Sequence, residues 1–199
     1  LGNPKLCSVG FTAALLSGAP ALADATIKLS LAGEAFDGPP KFELRLDGKV
    51  IGSGVLDKAI DTGETGRLFA NAKPRSYLQE FEFAVPESQF RKDGEISVIL
   101  TNDKYLDEEV GRDRNLFVDA ITVNGLEIVA ADLKLLNGDK LQLLDYQAGL
   151  MPIYESTNMA VAVPPATGWP AEQVIDLPEA TPVALPVKLT PKPVVPIAR

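Results

Sequence analysis

Apolar and polar residues alternate with a period of two along several short stretches of this chain. From Thr26, the residues Ile27, Leu29 and Leu31 are separated by Lys28 and Ser30. Phe42, Leu44 and Leu46 alternate with Lys41, Glu43 and Arg45, then Asp47-Gly48 interrupts and Val50 to Leu56 follows. An Asp-Gly pair between two such runs is a two-residue hairpin turn, because both central residues of that turn need positive φ, so 41–56 is a predicted β-hairpin. Leu78 to Val85 and Ile96 to Leu100 are two further predicted strands. Leu116 to Val123 runs into Asn124-Gly125 and returns through Leu126 to Val129. Leu133 to Leu136 and Leu141 to Leu144 flank Asn137-Gly138-Asp139. With no stretch of helical period, the pattern predicts an all-β fold: an antiparallel, jelly-roll-like β-sandwich with Phe42, Phe81, Phe83 and Phe117 in its core. Residues 57–77, with Gly63, Gly66 and Pro74, form a long polar connection placed to wall one face.

The flanks differ in texture. Lys5 precedes an uncharged, small-residue run from Val9 to Ala23 that ends in Ala21-Leu22-Ala23. This is the pattern of a signal peptide over 1–23, shorter than a membrane span, and it predicts an exported protein, extracellular or periplasmic, without membrane insertion. Ten of the sixteen prolines fall between Pro152 and Pro196. Proline removes backbone donors and favours extended chain, so 149–199 is expected to be a Pro-rich linker or disordered tail, with the lone Trp169 inside it. The folded domain is then expected over 24–148.

Charge and composition narrow the chemistry. Without Lys5, 18 basic residues face 27 acidic ones, a formal charge of −9 that disfavours nucleic acid or an anionic membrane as partner. There is no histidine, and the single cysteine, Cys7, lies in the signal segment. Ser–His and Cys–His catalysis and imidazole-based zinc sites are therefore excluded. Carboxylate-pair hydrolysis is the main chemistry left, and the candidate acids crowd one short loop instead of facing each other across a bond. The chain is read as a binding protein, not an enzyme.

That acidic loop lies between Asn102 and Asn115. Asp103, Asp107, Glu108, Glu109 and Asp113 place five carboxylates within eleven residues, partly balanced by Lys104, Arg112 and Arg114. Crowded hard oxygen donors suit calcium, which accepts six to eight oxygens in loose geometry; softer metals want nitrogen or sulfur, which the chain outside the signal segment offers only through two methionines. A hydrated turn, or a calcium ion that only fixes the loop, is the alternative. Asp119 stands on a predicted strand, where it faces solvent or receives a hydrogen bond from a neighbouring loop.

Three motifs carry a resemblance. Phe42-Glu43-Leu44-Arg45-Leu46-Asp47-Gly48-Lys49-Val50-Ile51-Gly52, Asn102-Asp103-Lys104-Tyr105 and Asp113-Arg114-Asn115-Leu116-Phe117-Val118-Asp119 stand in order. In this the segment Thr26 to Leu144 resembles the calcium-dependent xylan-binding carbohydrate-binding modules, small β-sandwiches of secreted plant cell-wall hydrolases. The resemblance implies a non-catalytic domain whose calcium ion contacts sugar hydroxyls of xylan or a related β-glycan. It implies Asp103 and Asp113 as side-chain ligands, Asn115, Asp119 and Asp107 as further members of the ion set, and Tyr105, Arg114 and Asn102 on the sugar side. The chain departs from the family pattern at Leu106 to Val110, where carboxylates replace a glycine-rich stretch. The other reading is a surface or matrix protein in which calcium serves assembly or adhesion.

Overall fold

A computed structural model describes residues 24–107, 111–142 and 148–171. The predicted signal segment, Glu108 and Glu109, Leu143, Leu144 and Tyr146, and the chain beyond 171 lie outside these residues. The described residues form two facing sheets, as the period-two pattern predicts.

The first sheet is built on two long antiparallel strands, β1 (Ala25–Ala35) and β8 (Arg112–Val123). The free edge of β1 pairs with β5 (Gln79–Val85) and then, in parallel, with β4 (Ile60–Asp61). The free edge of β8 pairs in turn with β7 (Lys104–Asp107), β12 (Met151–Ile153) and β9 (Leu126–Val129). The second sheet runs β11 (Lys140–Leu141), β10 (Lys134–Asn137), β13 (Asn158–Ala162), β6 (Ile96–Leu100), β2 (Lys41–Leu46), β3 (Lys49–Val55). Every sheet contact is antiparallel except that of β1 with β4.

The predicted hairpin 41–56 forms, and Asp47 (φ 47°) and Gly48 (φ 78°) adopt the left-handed conformations its two-residue turn requires. Asn124 (φ 48°) and Gly125 (φ 84°) do the same between β8 and β9. Inward alternation along β1, β2, β6 and β8 fills the main core with Ile27, Leu29, Leu31, Phe42, Leu44, Ile96, Val98, Leu116 and Val118, among others. Phe81 stacks edge-on against Phe42, with centroids 4.8 Å apart. Phe81 and Phe83 are partly buried and pack against this core.

The strand β8 changes phase within its length. Ser30 pairs with Ala120 but Leu31 pairs with Val118, so Asp119 is an extra, bulged residue. Leu116 and Val118 face the main core before the bulge, and Ile121 and Val123 face it afterwards. Phe117 consequently points to the opposite face. There it joins Ala32, Ile60, Leu68 and Leu150 in a second, smaller core. The 57–77 connection supplies Ile60 and Leu68, so it covers the outer face of the first sheet, as expected of a wall. It also carries β4 and two short 3₁₀ turns, Leu68–Ala70 and Pro74–Tyr77.

The domain does not stop at residue 148. Leu150, Met151 and Ile153 are fully buried, and β13 inserts between β6 and β10 with Ala160 and Ala162 in the core. Trp169, expected in a flexible tail, is 3% exposed; its Nε1 donates to the Gly94 carbonyl at 2.7 Å. Gly168 (φ 80°) makes this approach possible, since a Cβ there would sit 2.8 Å from the Lys92 carbonyl oxygen. Proline content misdirected the boundary: Pro152 lies in a strand, and Pro164, Pro165 and Pro170 shape the connection that brings Trp169 home. At this end the Asn124 side chain accepts from the Thr26 N–H and donates to the Pro170 carbonyl, both at 2.7 Å.

Candidate functional site

The described parts of the Asn102–Asn115 segment pair as antiparallel strands, β7 with the start of β8, and extend the first sheet. Lys104 pairs with Arg114 and Tyr105 with Asp113, and Gly111 (φ 65°) leads into β8. Paired residues share a sheet face, and the face alternates along each strand. Asp103, Tyr105, Asp113 and Asn115 therefore gather on one face, while Lys104 and Arg114 go to the other. Asp107 falls opposite Arg112 at the far end of β7.

The second face is mechanical. Arg114 is 7% exposed and donates through Nε to Gly38 O (3.0 Å), through Nη1 to Asn102 O (2.6 Å), and through Nη2 to the Phe36 and Asp37 carbonyls. One guanidinium thus ties the 36–38 bend to the start of the hairpin. Lys104 pairs with Asp37, and this hydrogen bond and charge hold the Asp37 carboxyl below its ordinary pKa. Asn102 accepts from Lys41 N–H (2.7 Å) and donates to Pro39 O (3.0 Å). The side chains of Arg114 and Asn102, placed on the sugar side by the resemblance, are committed to this scaffold.

The first face holds the charged chemistry. Asp113 is 9% exposed, and its backbone N–H donates to the Thr62 hydroxyl at 3.2 Å. Its Oδ2 accepts from Asn115 Nδ2 at 2.9 Å and lies 3.4 Å from Arg67 Nη2. Asn115, fully buried, also donates from Nδ2 to Glu34 Oε2 at 2.7 Å. Glu34 is itself fully buried opposite Asn115 in register, and is gripped by Arg67 (Nε and Nη2, each 3.0 Å) and by the Leu68 N–H (2.6 Å). Burial pulls the Arg67 pKa down, but the Glu34 hydrogen bond and charge, with Asp113 and Tyr154, hold it above the ordinary value. Asp103 stands nearer the rim, its N–H donating to Ser156 Oγ at 3.3 Å. Burial, then the charges of Asp113 and Glu155, raise the Asp103 carboxyl above its usual pKa against the pull of Arg114. Beside it Tyr105 (51%) and Leu106 (57%) are exposed.

Residues 26–134 match CBM60, the Ca-dependent carbohydrate-binding module xylan-binding family. The chain belongs to this family. CBM60 modules bind carbohydrate and carry no catalytic activity, in keeping with the missing histidine. Two solved structures are similar. A selenomethionine form of vCBM60, from work linking two families of calcium-dependent carbohydrate binding modules by circular permutation, is 19% identical, with 68% of this chain and 88% of that chain covered and a TM-score of 0.42. vCBM60 in complex with galactobiose is 18% identical, with 68% and 94% covered and a TM-score of 0.39. No curated protein matches the chain by sequence.

The residues on the first face fit the ion that the CBM60 description names. Asn115 Oδ1 is buried and without a hydrogen-bond partner. Because its Nδ2 donates to two carboxylates, the amide cannot be turned round, so a spare hard oxygen is fixed beside Asp113. A carboxylate pushed upward by burial and then by two neighbouring carboxylates, as Asp103 is, has an environment that a cation relieves. Among the described residues no three acidic side chains already converge on an ion cage.

Asp119 is not part of this set. Its Oδ1 pairs with Arg75 at 2.6 Å and its Oδ2 accepts from Ser30 Oγ at 3.2 Å. It stands six residues along β8 from Asp113, about 20 Å at the usual strand rise. Of the alternatives open to it, the partner from a neighbouring segment is the one realised. Four residues of the site were missed. Glu155 and Ser156 fell in the expected tail. Glu34 left one trace, a lone charge within Leu31-Ala32-Gly33-Glu34-Ala35-Phe36, and Arg67 left none.

Proposed function

We propose that the protein is an exported module that binds xylan or a related β-glycan through a calcium ion at the β7–β8 hairpin. The observation that carries this reading is the gathering of Asp103, Tyr105, Asp113 and Asn115 on one face, with Asp113 held by neighbours and a spare buried oxygen on Asn115. Asp103 and Asp113 supply charge, Asn115 Oδ1 a neutral oxygen, and the half-exposed Tyr105 ring a flank for a sugar. Calcium so held, with positions left to solvent, exchanges water for vicinal hydroxyls. Such exchange alone supports affinity of roughly micromolar to millimolar order. Export rests on the composition of residues 1–23.

Titration calorimetry of the full chain tests this, first with calcium, then with xylo-oligosaccharides with and without chelator. Calcium uptake followed by chelator-sensitive sugar binding is expected, and Asp113→Ala is expected to remove both while the sandwich stays folded. Sugar binding that survives chelation sinks the ion-mediated mechanism. Calcium uptake without sugar binding, and with calcium-dependent self-association instead, moves the reading to an assembly or adhesion domain.

A further inference from the structure

Glu34 and Arg67, which come from outside the β7–β8 pair, contact the Asn115 amide and the Asp113 carboxylate. Glu34 is fully buried, and each of its oxygens is taken: Oε1 by Leu68 N–H and Arg67 Nε, Oε2 by Arg67 Nη2 and Asn115 Nδ2. The Asn115 amide is shared between Glu34 and Asp113, so its orientation is dictated from behind by a carboxylate. Asp113 Oδ2 is occupied by that amide, with Arg67 at 3.4 Å. The arrangement therefore fixes which oxygens remain for a cation.

We propose that Glu34 and Arg67 are positioning residues for the calcium site, acting through the Asn115 amide to present Asn115 Oδ1 and the Asp113 carboxylate. This rests on the calcium reading above. Glu34 does its work as an acceptor on both sides. A glutamine at 34 keeps the shape but offers a donor on one side, which must face either Leu68 N–H and Arg67 Nε or Arg67 Nη2 and the Asn115 amide. Turned toward Asn115, that donor inverts the amide and withdraws Oδ1. Arg67 holds Glu34 through a fork that lysine cannot reproduce, although lysine keeps the charge. The charge and the fork have opposite consequences. A positive charge beside Asp113 opposes calcium, so losing it alone strengthens binding. Losing the positioning weakens it.

The test uses the full chain with calcium as the probe. Calcium affinity is measured by calorimetry, and the Asn115 side-chain amide is followed by NMR in calcium-free protein. Glu34→Gln is expected to weaken calcium about tenfold or more, the usual effect of removing a partner behind a metal ligand, and to shift the Asn115 amide resonances. Arg67→Lys is the milder variant should Glu34→Gln fail to fold. It is expected to weaken calcium by a few-fold with the fold intact, and Arg67→Gln to weaken it at least as much despite the lost positive charge. Folded variants with unchanged calcium affinity and an unmoved Asn115 amide overturn the proposal and leave the calcium reading standing. Tighter calcium binding in Arg67→Gln also overturns it, showing the guanidinium to be only a competing charge. Wild-type protein that takes up no calcium overturns the calcium reading itself, and the positioning role falls with it.

Discussion

The two ends of the sandwich are closed by different physics. At one end, where β1 finishes and β8 begins, a buried carboxylate, a guanidinium and an asparagine amide hold the chain, with Asp103 and Asp113 ahead of them. At the other, where β1 begins and β8 finishes, Trp169 plugs the core and donates to Gly94, and Asn124 bridges the two crossing segments. Apolar closure stabilises wherever it is placed. A buried charge network stabilises little beyond what its desolvation costs, but it fixes orientation, and breaking one member is severe. The proposed ion site stands at the polar end, so the contrast predicts that stability and ion binding can be damaged separately.

The largest effect on the fold belongs to the apolar end. Trp169→Ala removes a fully packed indole and should cost about 3–5 kcal/mol, read as a lowered denaturant midpoint, with calcium affinity unchanged in the protein that remains folded. A proportionate loss of calcium affinity would join the two ends and break the comparison. Asp103→Asn is expected to do the reverse. Calcium affinity falls about tenfold, by analogy with the cost of disturbing a metal site, while calcium-free stability is equal or slightly higher, because a repelled carboxylate is gone.

The pH dependence sharpens this. The Asp103 pKa in the folded state is raised, so between its unfolded and folded values the native state binds the extra proton. Its contribution is therefore most favourable below the unfolded value, near 3.8, and is lost as pH rises through the folded value. The stability difference between wild type and Asp103→Asn, followed by denaturant melts without calcium, should move against the mutant as pH falls through that window. Asp37, lowered by Lys104, behaves oppositely: its contribution is present above its unfolded value and is lost as pH falls through the folded one. A flat difference for Asp103 would mean that neither burial nor the charges of Asp113 and Glu155 perturb it. The smallest effect is expected at Asp119. Its exchange for Asn weakens a partly exposed ion pair with Arg75, costs about 1 kcal/mol or less, and leaves calcium affinity untouched.

What was legible follows from range. The hairpins at Asp47-Gly48 and Asn124-Gly125 are written in adjacent residues, because the turn demands positive φ and the flanking strands alternate. The segments that bring Tyr105 opposite Asp113 were visible as two motifs, although the stretch from Asn102 was read as a loop and its described residues from Lys104 to Asp107 are a strand. The apolar end was not legible. β12 and the end of β13 are buried on both sides, so they show no alternation, and prolines next to them imitate a tail. Nor does local pattern reveal that Arg67, 33 residues from Glu34, is its partner. Asp119 belongs to the same motif as Asp113, but six residues of extended strand carry it to the neighbourhood of Arg75, a partner that local pattern does not reveal.

The Asn124 side chain has a consequence for how the domain is mounted. It touches the chain near both outer limits of the described residues, at Thr26 and at Pro170, so those two points lie side by side. A unit with adjacent ends can be spliced into a loop of a host or strung on a linker without being stretched. Here both ends are on the side away from Asp113. A partner domain fused at either point would lie on the side opposite the hairpin, and the useful measure of an anchor at the hairpin would be the effective concentration it gives that neighbour.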